Sequence, residues 1–209
     1  MIPAEKYIIN GPSGNIEAVV EFPDDRSKNI VAVICHPHPL FEGNMNNKVV
    51  TTLVRTCQKL GAIAIRFNFR GIGASEGEYG NVTGELEDLR AVIIWAQQQY
   101  PDADLWLAGF SFGSYIAAKL ATELPVKQLI SIAPPVQNMD FAHLPKISCP
   151  WVIVQGDADE VVSAEQVYTW LQTRTEPYQL IRMPEVGHFF HGKLIELRED
   201  LVAAIRPQL

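Results

Sequence analysis

Short runs of β-branched and apolar residues alternate along the chain with longer stretches in which apolar positions recur every three or four residues. The first pattern suits strands buried on both faces and the second suits helices with one apolar stripe. Their alternation is the sequence form of a parallel sheet with crossover helices. Buried, mostly parallel strands are expected at 30–35, 62–67, 105–108, 129–132, 151–155 and 178–182. An N-terminal hairpin is expected from runs at 7–9 and 16–22, separated by the turn residues Asn10, Gly11, Pro12, Ser13 and Gly14. Helices are expected at 47–60, 84–99, 112–123, 164–173 and 193–205. The second of these sets Leu86, Leu89, Val92, Ile93 and Ala96 on one stripe, with Glu85, Glu87, Asp88 and Arg90 between them. No repeat or linker breaks the series, so residues 1–209 are expected to form one α/β domain with about eight strands.

Composition narrows the function without naming it. An apolar content of 47% supplies one sizeable core and excludes a disordered or low-complexity chain. The formal charge of −7 and the absence of a Lys/Arg-rich run remove the electrostatic case for a nucleic-acid partner. No apolar run approaches the roughly 18 residues of a membrane span. The first residues, MIPAEKYIING, lack a positively charged start followed by an apolar stretch, so no secretory signal is visible. Cys35, Cys57 and Cys149 are odd in number and not in C-x-x-C spacing, which argues against a disulfide framework and a thiolate zinc site. A reducing cytoplasm is the expected location.

The chemistry concentrates in three loops. Gly109-Phe110-Ser111-Phe112-Gly113 lies between an expected strand and an expected helix. This G-x-S-x-G resembles the nucleophile elbow of the α/β-hydrolase superfamily, in which a sharp turn lifts a serine above the sheet edge. Glycines at 109 and 113 suit such a turn because, lacking Cβ, they let strand and helix approach closely. A plain βα turn, with Ser111 capping the helix, is the alternative. A serine hydroxyl is a poor nucleophile without a base, so the elbow demands a histidine and an orienting acid further along the chain.

Both are present, in the chain order that the superfamily uses. The loop Gly156-Asp157-Ala158-Asp159-Glu160-Val161-Val162 resembles the superfamily's G-x-x-D-x-x-V. That resemblance puts the orienting acid on Asp159, leaving Asp157 as a turn residue bonded to its own backbone and Glu160 as a solvated charge. Gly187-His188-Phe189-Phe190 resembles the G-H-x-F ending and implies that His188 is the base, with His191 outside the triad. One oxyanion donor is implied at the amide of Phe112, and a second in the loop after the third strand. Pro37 and Pro39 lack an amide proton there, leaving His38, which is preferred, or Leu40.

Taken with the H-P-H-P loop, the N-x-x-N-K that follows and Arg70-Gly71-Ile72-Gly73, these motifs resemble small bacterial α/β-hydrolases related to dienelactone hydrolases. Dienelactone hydrolases themselves use a cysteine nucleophile, whereas position 111 is serine, so serine ester chemistry is implied. Arg70 is expected to be a structural loop residue. Residues 133–149, where the superfamily often inserts a cap, are short and carry prolines, so at most a small lid and an open site are expected. The implied activity is ester hydrolysis on a small-molecule acyl substrate, without cofactor or metal. Thioester or peptide hydrolysis is the nearest alternative, and a non-catalytic binding module the more distant one. A metal site built from His36, His38, His188 and His191 is weakly supported by spacing, and His36 is expected instead to stabilise its loop through backbone bonds. Phe41, Phe110, Phe112, Phe189 and Phe190 either line an acyl pocket or pack the core.

Overall fold

The alternation along the chain becomes alternation in space. Within β3 (Ile30–Cys35), Val31, Val33 and Cys35 join one apolar cluster while Ile30, Ala32 and Ile34 join a second on the opposite face. The computed structural model describes residues 4–25 and 29–206. Its sheet comprises β1 (Glu5–Gly11), β2 (Gly14–Glu21), β3, β4 (Ile63–Phe67), β5 (Asp104–Phe110), β6 (Gln128–Ile132), β7 (Trp151–Gly156) and β8 (Gln179–Met183). The spatial order is β1-β2-β4-β3-β5-β6-β7-β8. Neighbours are antiparallel from β1 to β4 and parallel from β4 to β8. This is the α/β-hydrolase architecture that the motifs imply.

Helices cover both faces. α1 (Lys48–Lys59) and α5 (Leu194–Ile205) bury their stripes with the second cluster, and α2 (Thr83–Gln99), α3 (Phe112–Ala121) and α4 (Ala164–Leu171) with the first. The side chains of Asn47 and Ser163 cap α1 and α4 by accepting from Val49 N and Gln166 N. After β3 the chain crosses to β4, and after β5 to β6 on the other side. The carboxyl ends of β3 and β5 therefore flank a crevice, the position where such sheets hold their ligands.

Two expectations change. The hairpin strands run through Gly11 and Gly14, which pair with each other across a two-residue turn. Gly14 has φ +115°, and this leaves only Pro12 and Ser13 outside the ladder instead of the five-residue turn read from the sequence. β8 is the sheet's outer strand and only Met183 is buried in it, because a strand with one neighbour has one flank open. Between β6 and β7, residues 133–150 form turns and irregular backbone with no helix, so no cap covers the carboxyl rim.

Candidate active site

Ser111 alone joins β5 to α3. Its backbone sits at φ 53° and ψ −121°, a conformation that costs a non-glycine residue about 1–3 kcal/mol and persists only where the surroundings enforce it. The enforcement is visible. Ser111 N donates to the Ile132 carbonyl of β6 at 2.8 Å, and its own carbonyl accepts from Ser114 N at 2.8 Å and Ser114 Oγ at 2.6 Å. A Cβ on Gly109 would lie 2.2 Å from Gly113 O, and one on Gly113 would lie 2.5 Å from the carbonyls of Cys35 and His36. Both glycines are thus steric requirements of the turn. Ser111 occupies the cap position of α3 without making a side-chain cap bond, which removes the plain helix-cap reading. Its hydroxyl bonds no described residue and is not sealed from solvent.

Asp159 and His188 meet across two strand-end loops. The His188 Nδ1–H donates to Asp159 Oδ2 at 2.9 Å, with the two side chains 4% and 0% exposed. Asp159 Oδ1 accepts from Val161 N at 2.9 Å and Val162 N at 2.7 Å. Burial alone would raise the Asp159 carboxyl. The bond from His188 and those from the Val162 and Val161 amides outweigh it and hold the group below the ordinary aspartate value. Since an ionised carboxylate only accepts, His188 donates from Nδ1, and its Nε2 bonds no described residue. The imidazole packs against the ring of Phe110, the residue before Ser111, at 4.9 Å between centroids, and edge-on to Phe189 at 5.1 Å. His188 is therefore seated beside the elbow, although its Nε2 and the Ser111 hydroxyl are not hydrogen-bonded to each other.

The loop after β3 separates the two amides left open by the prolines. Leu40 N is spent on the side chain of its neighbour, His38 Nδ1, at 3.2 Å, whereas the amide of His38 has no described acceptor. With Nδ1 accepting, His38 is protonated on Nε2 and donates to the Tyr79 hydroxyl at 3.3 Å. Its ring rests on Phe112 at 4.7 Å, tying this loop to the start of α3. Phe112 N, the first amide of the helix, has no intrahelical acceptor. His36 lies deeper. Its Nδ1–H donates to Pro37 O at 2.6 Å and its Nε2 accepts from Phe69 N at 3.0 Å, so both nitrogens are committed to backbone, as expected of a loop-stabilising residue. Among the described residues no group of three or more His, Cys, Asp or Glu is arranged to hold a metal ion.

Neighbouring charges behave differently from the sequence expectation in two places. The Asp157 side chain does not close on its own backbone. It accepts from the Tyr168 hydroxyl and pairs with Arg182, because the middle of α4 and the end of β8 flank its turn. Glu160 is not merely solvated: its Oε2 accepts the backbone N–H of His188 at 3.1 Å and lies over Gly187, where a Cβ would approach it to 2.6 Å. Arg70 is the structural residue expected, with its guanidinium on buried Asp88 and on Glu87. Phe110, Phe112 and Phe190 belong to the core, while Phe41 and Phe189 are exposed at the rim. His191 is exposed, precedes α5 and stacks on Phe189. A groove of about 610 Å³ between Cys149, Trp151 and Tyr178 lies at the amino ends of β7 and β8, away from these groups.

Comparison with known proteins follows the same line. The family model described as alpha/beta hydrolase domain matches residues 42–193. The chain belongs to the alpha/beta hydrolase family. Among solved members, an alpha-beta serine hydrolase homologue from Coxiella burnetii is 50% identical, with a TM-score of 0.94 over 97% of this chain and 98% of its own. A serine hydrolase without lid from Xanthomonas campestris is 42% identical, with a TM-score of 0.95 over 100% and 97%. The uncharacterized protein RP471 of Rickettsia prowazekii is 42% identical over 92% of this chain and 84% of its own length. Hydrolase is thus the class to which this alpha/beta hydrolase fold is assigned. Sequence reasoning missed the reach of Glu160 and the bond that Gln155, a polar residue closing the apolar run of β7, makes from Nε2 to Asp159 Oδ2 at 3.1 Å.

Proposed function

We propose that the protein is a serine hydrolase that cleaves carboxylic esters through a covalent acyl-enzyme. Ser111 Oγ attacks the acyl carbonyl while His188 Nε2 accepts its proton, and Asp159 stabilises the imidazolium that forms. The amides of Phe112 and His38 receive the oxyanion. The tetrahedral adduct collapses as His188 returns the proton to the leaving alkoxide. A water deprotonated by His188 then releases the acid and frees Ser111. No cofactor enters the scheme.

The observation that carries this reading is the buried Asp159–His188 bond seated beside a serine in strained backbone. The unformed bond between Ser111 and His188 is compatible with it, since catalytic hydrogen bonds in ligand-free enzymes often tighten only around substrate. The two solved relatives, an alpha-beta serine hydrolase homologue 50% identical and a serine hydrolase without lid 42% identical, support the same chemistry. An uncovered rim with exposed Phe41 and Phe189 suits small or protruding apolar acyl groups. Thioesters and amides react on the same triad, and esters demand less of it than amides because an alkoxide leaves more readily than an amide nitrogen. Three buried, unpaired cysteines fit a reducing compartment such as the cytoplasm. Burial pushes the Cys57 thiol up to about 12 and the Cys149 thiol up to about 11.

A panel of chromogenic esters and thioesters of graded acyl length tests the reading. The wild-type protein is expected to turn over short esters, and Ser111→Ala or His188→Ala to lower the rate on the order of 10⁴-fold or more with unfolding temperature kept. Turnover near the wild-type rate in either variant would refute it.

A further inference from the structure

Gln155 is the penultimate residue of β7, in a strand otherwise apolar up to Gly156, and its side chain is wholly buried. Its Nε2 donates to the Gly156 carbonyl at 3.1 Å and to Asp159 Oδ2 at 3.1 Å, the same oxygen that accepts the His188 Nδ1–H. Its Oε1 is buried with no hydrogen-bond partner. Turning the amide over would not help, because Oε1 would then face two acceptors, the Gly156 carbonyl and the Asp159 carboxylate. A leucine or methionine would fill this strand position without stranding a carbonyl. The orphaned oxygen is therefore a cost accepted at this site, and what offsets it is the N–H delivered to Asp159.

We infer that Gln155 is a positioning residue that fixes Asp159 Oδ2 toward His188 and moderates how strongly that carboxylate holds the imidazolium. Asp159 receives four donors, two on Oδ1 from the Val161 and Val162 amides and two on Oδ2 from Gln155 and His188. The three donors that are not histidine each draw charge from the carboxylate. Removing one leaves more negative charge for the imidazole, so the charged histidine gains stability and binds its proton at higher pH. The titratable groups facing His188 are Asp159 and Glu160 from the loop after β7, and its other ring contacts are Phe110 and Phe189. Asp157 in that loop is turned to Tyr168 and Arg182.

The test is an NMR titration of the His188 imidazole in the full chain, comparing wild type with Gln155→Met. The midpoint is expected to rise by about half a pH unit, with the unfolding temperature recorded alongside. A purely structural Gln155 would change the unfolding temperature and leave the midpoint in place. An unchanged or lowered midpoint would overturn the inference. Should Gln155→Met fail to fold, Gln155→Asn keeps an amide one methylene too short to reach Asp159 and is expected to give the same rise. The inference rests on the proposed triad, but its readout does not. His188 titrates whether or not Ser111 turns over an ester, so an inactive wild type would count against the triad, while the midpoint alone judges Gln155.

Discussion

Two histidines are buried at the same rim and come to opposite uses. His36 spends both ring nitrogens on backbone, donating to Pro37 O and accepting from Phe69 N, and no carboxylate touches its ring. Burial then pushes it down to about 4, with the bond to Pro37 opposing only in part, so it stays neutral throughout the physiological range. His188 is almost as buried, yet it places one nitrogen on the Asp159 carboxylate and leaves the other unspent. Burial alone makes a histidine a pin for its loop. A carboxylate on one side and a free nitrogen on the other equip it to take up and return a proton.

The most damaging change to this contrast is Asp159→Asn. The asparagine amide supports the wrong imidazole tautomer, so ester turnover is expected to fall on the order of 10³- to 10⁴-fold while folding survives. A loss below about tenfold in steady-state assays would move the orienting role elsewhere.

The His36 side of the contrast is read in stability. Its folded value lies below the ordinary 6.5, so the unfolded chain binds the proton first on acidification. The contribution is complete above pH 6.5 and is lost as pH falls toward 4. Denaturant titrations across that window are expected to show a decline of roughly 3 kcal/mol. The decline should largely vanish in His36→Asn, and an equal slope in that variant would contradict the assignment. The smallest effect is expected from Asp157→Asn. It breaks a largely exposed pair with Arg182 worth at most about 1 kcal/mol and should alter turnover less than about threefold.

The parts legible in the sequence were those written in one segment. Nearly continuous apolar runs of strand length marked β3 to β7, and Gly109 and Gly113 announced the elbow because a close approach leaves no room for a Cβ. Motif spacing favoured Asp159 over Asp157, and Asp159 is the carboxylate found on His188. What spacing could not carry depends on which loops become neighbours. Glu160 reaches the His188 amide only after distant strand ends converge, and the bond from Leu40 N to the His38 ring, which tells the two candidate amides apart, is a matter of local loop conformation that spacing does not encode. Gln155 did leave a trace, an amide at the end of an otherwise apolar strand, but its cost becomes visible only as an unpartnered Oε1 in the folded chain. β8 read as buried because its composition is apolar, and its place at the sheet's edge is a property of topology.

The central claim, that Ser111 is a nucleophile driven by His188, is tested most directly by exposure to a fluorophosphonate followed by peptide mass mapping. One adduct is expected on the peptide carrying Ser111, absent in Ser111→Ala and formed far more slowly in His188→Ala. A folded wild-type protein that stays unlabelled, or that is labelled at the same rate without His188, would contradict the account.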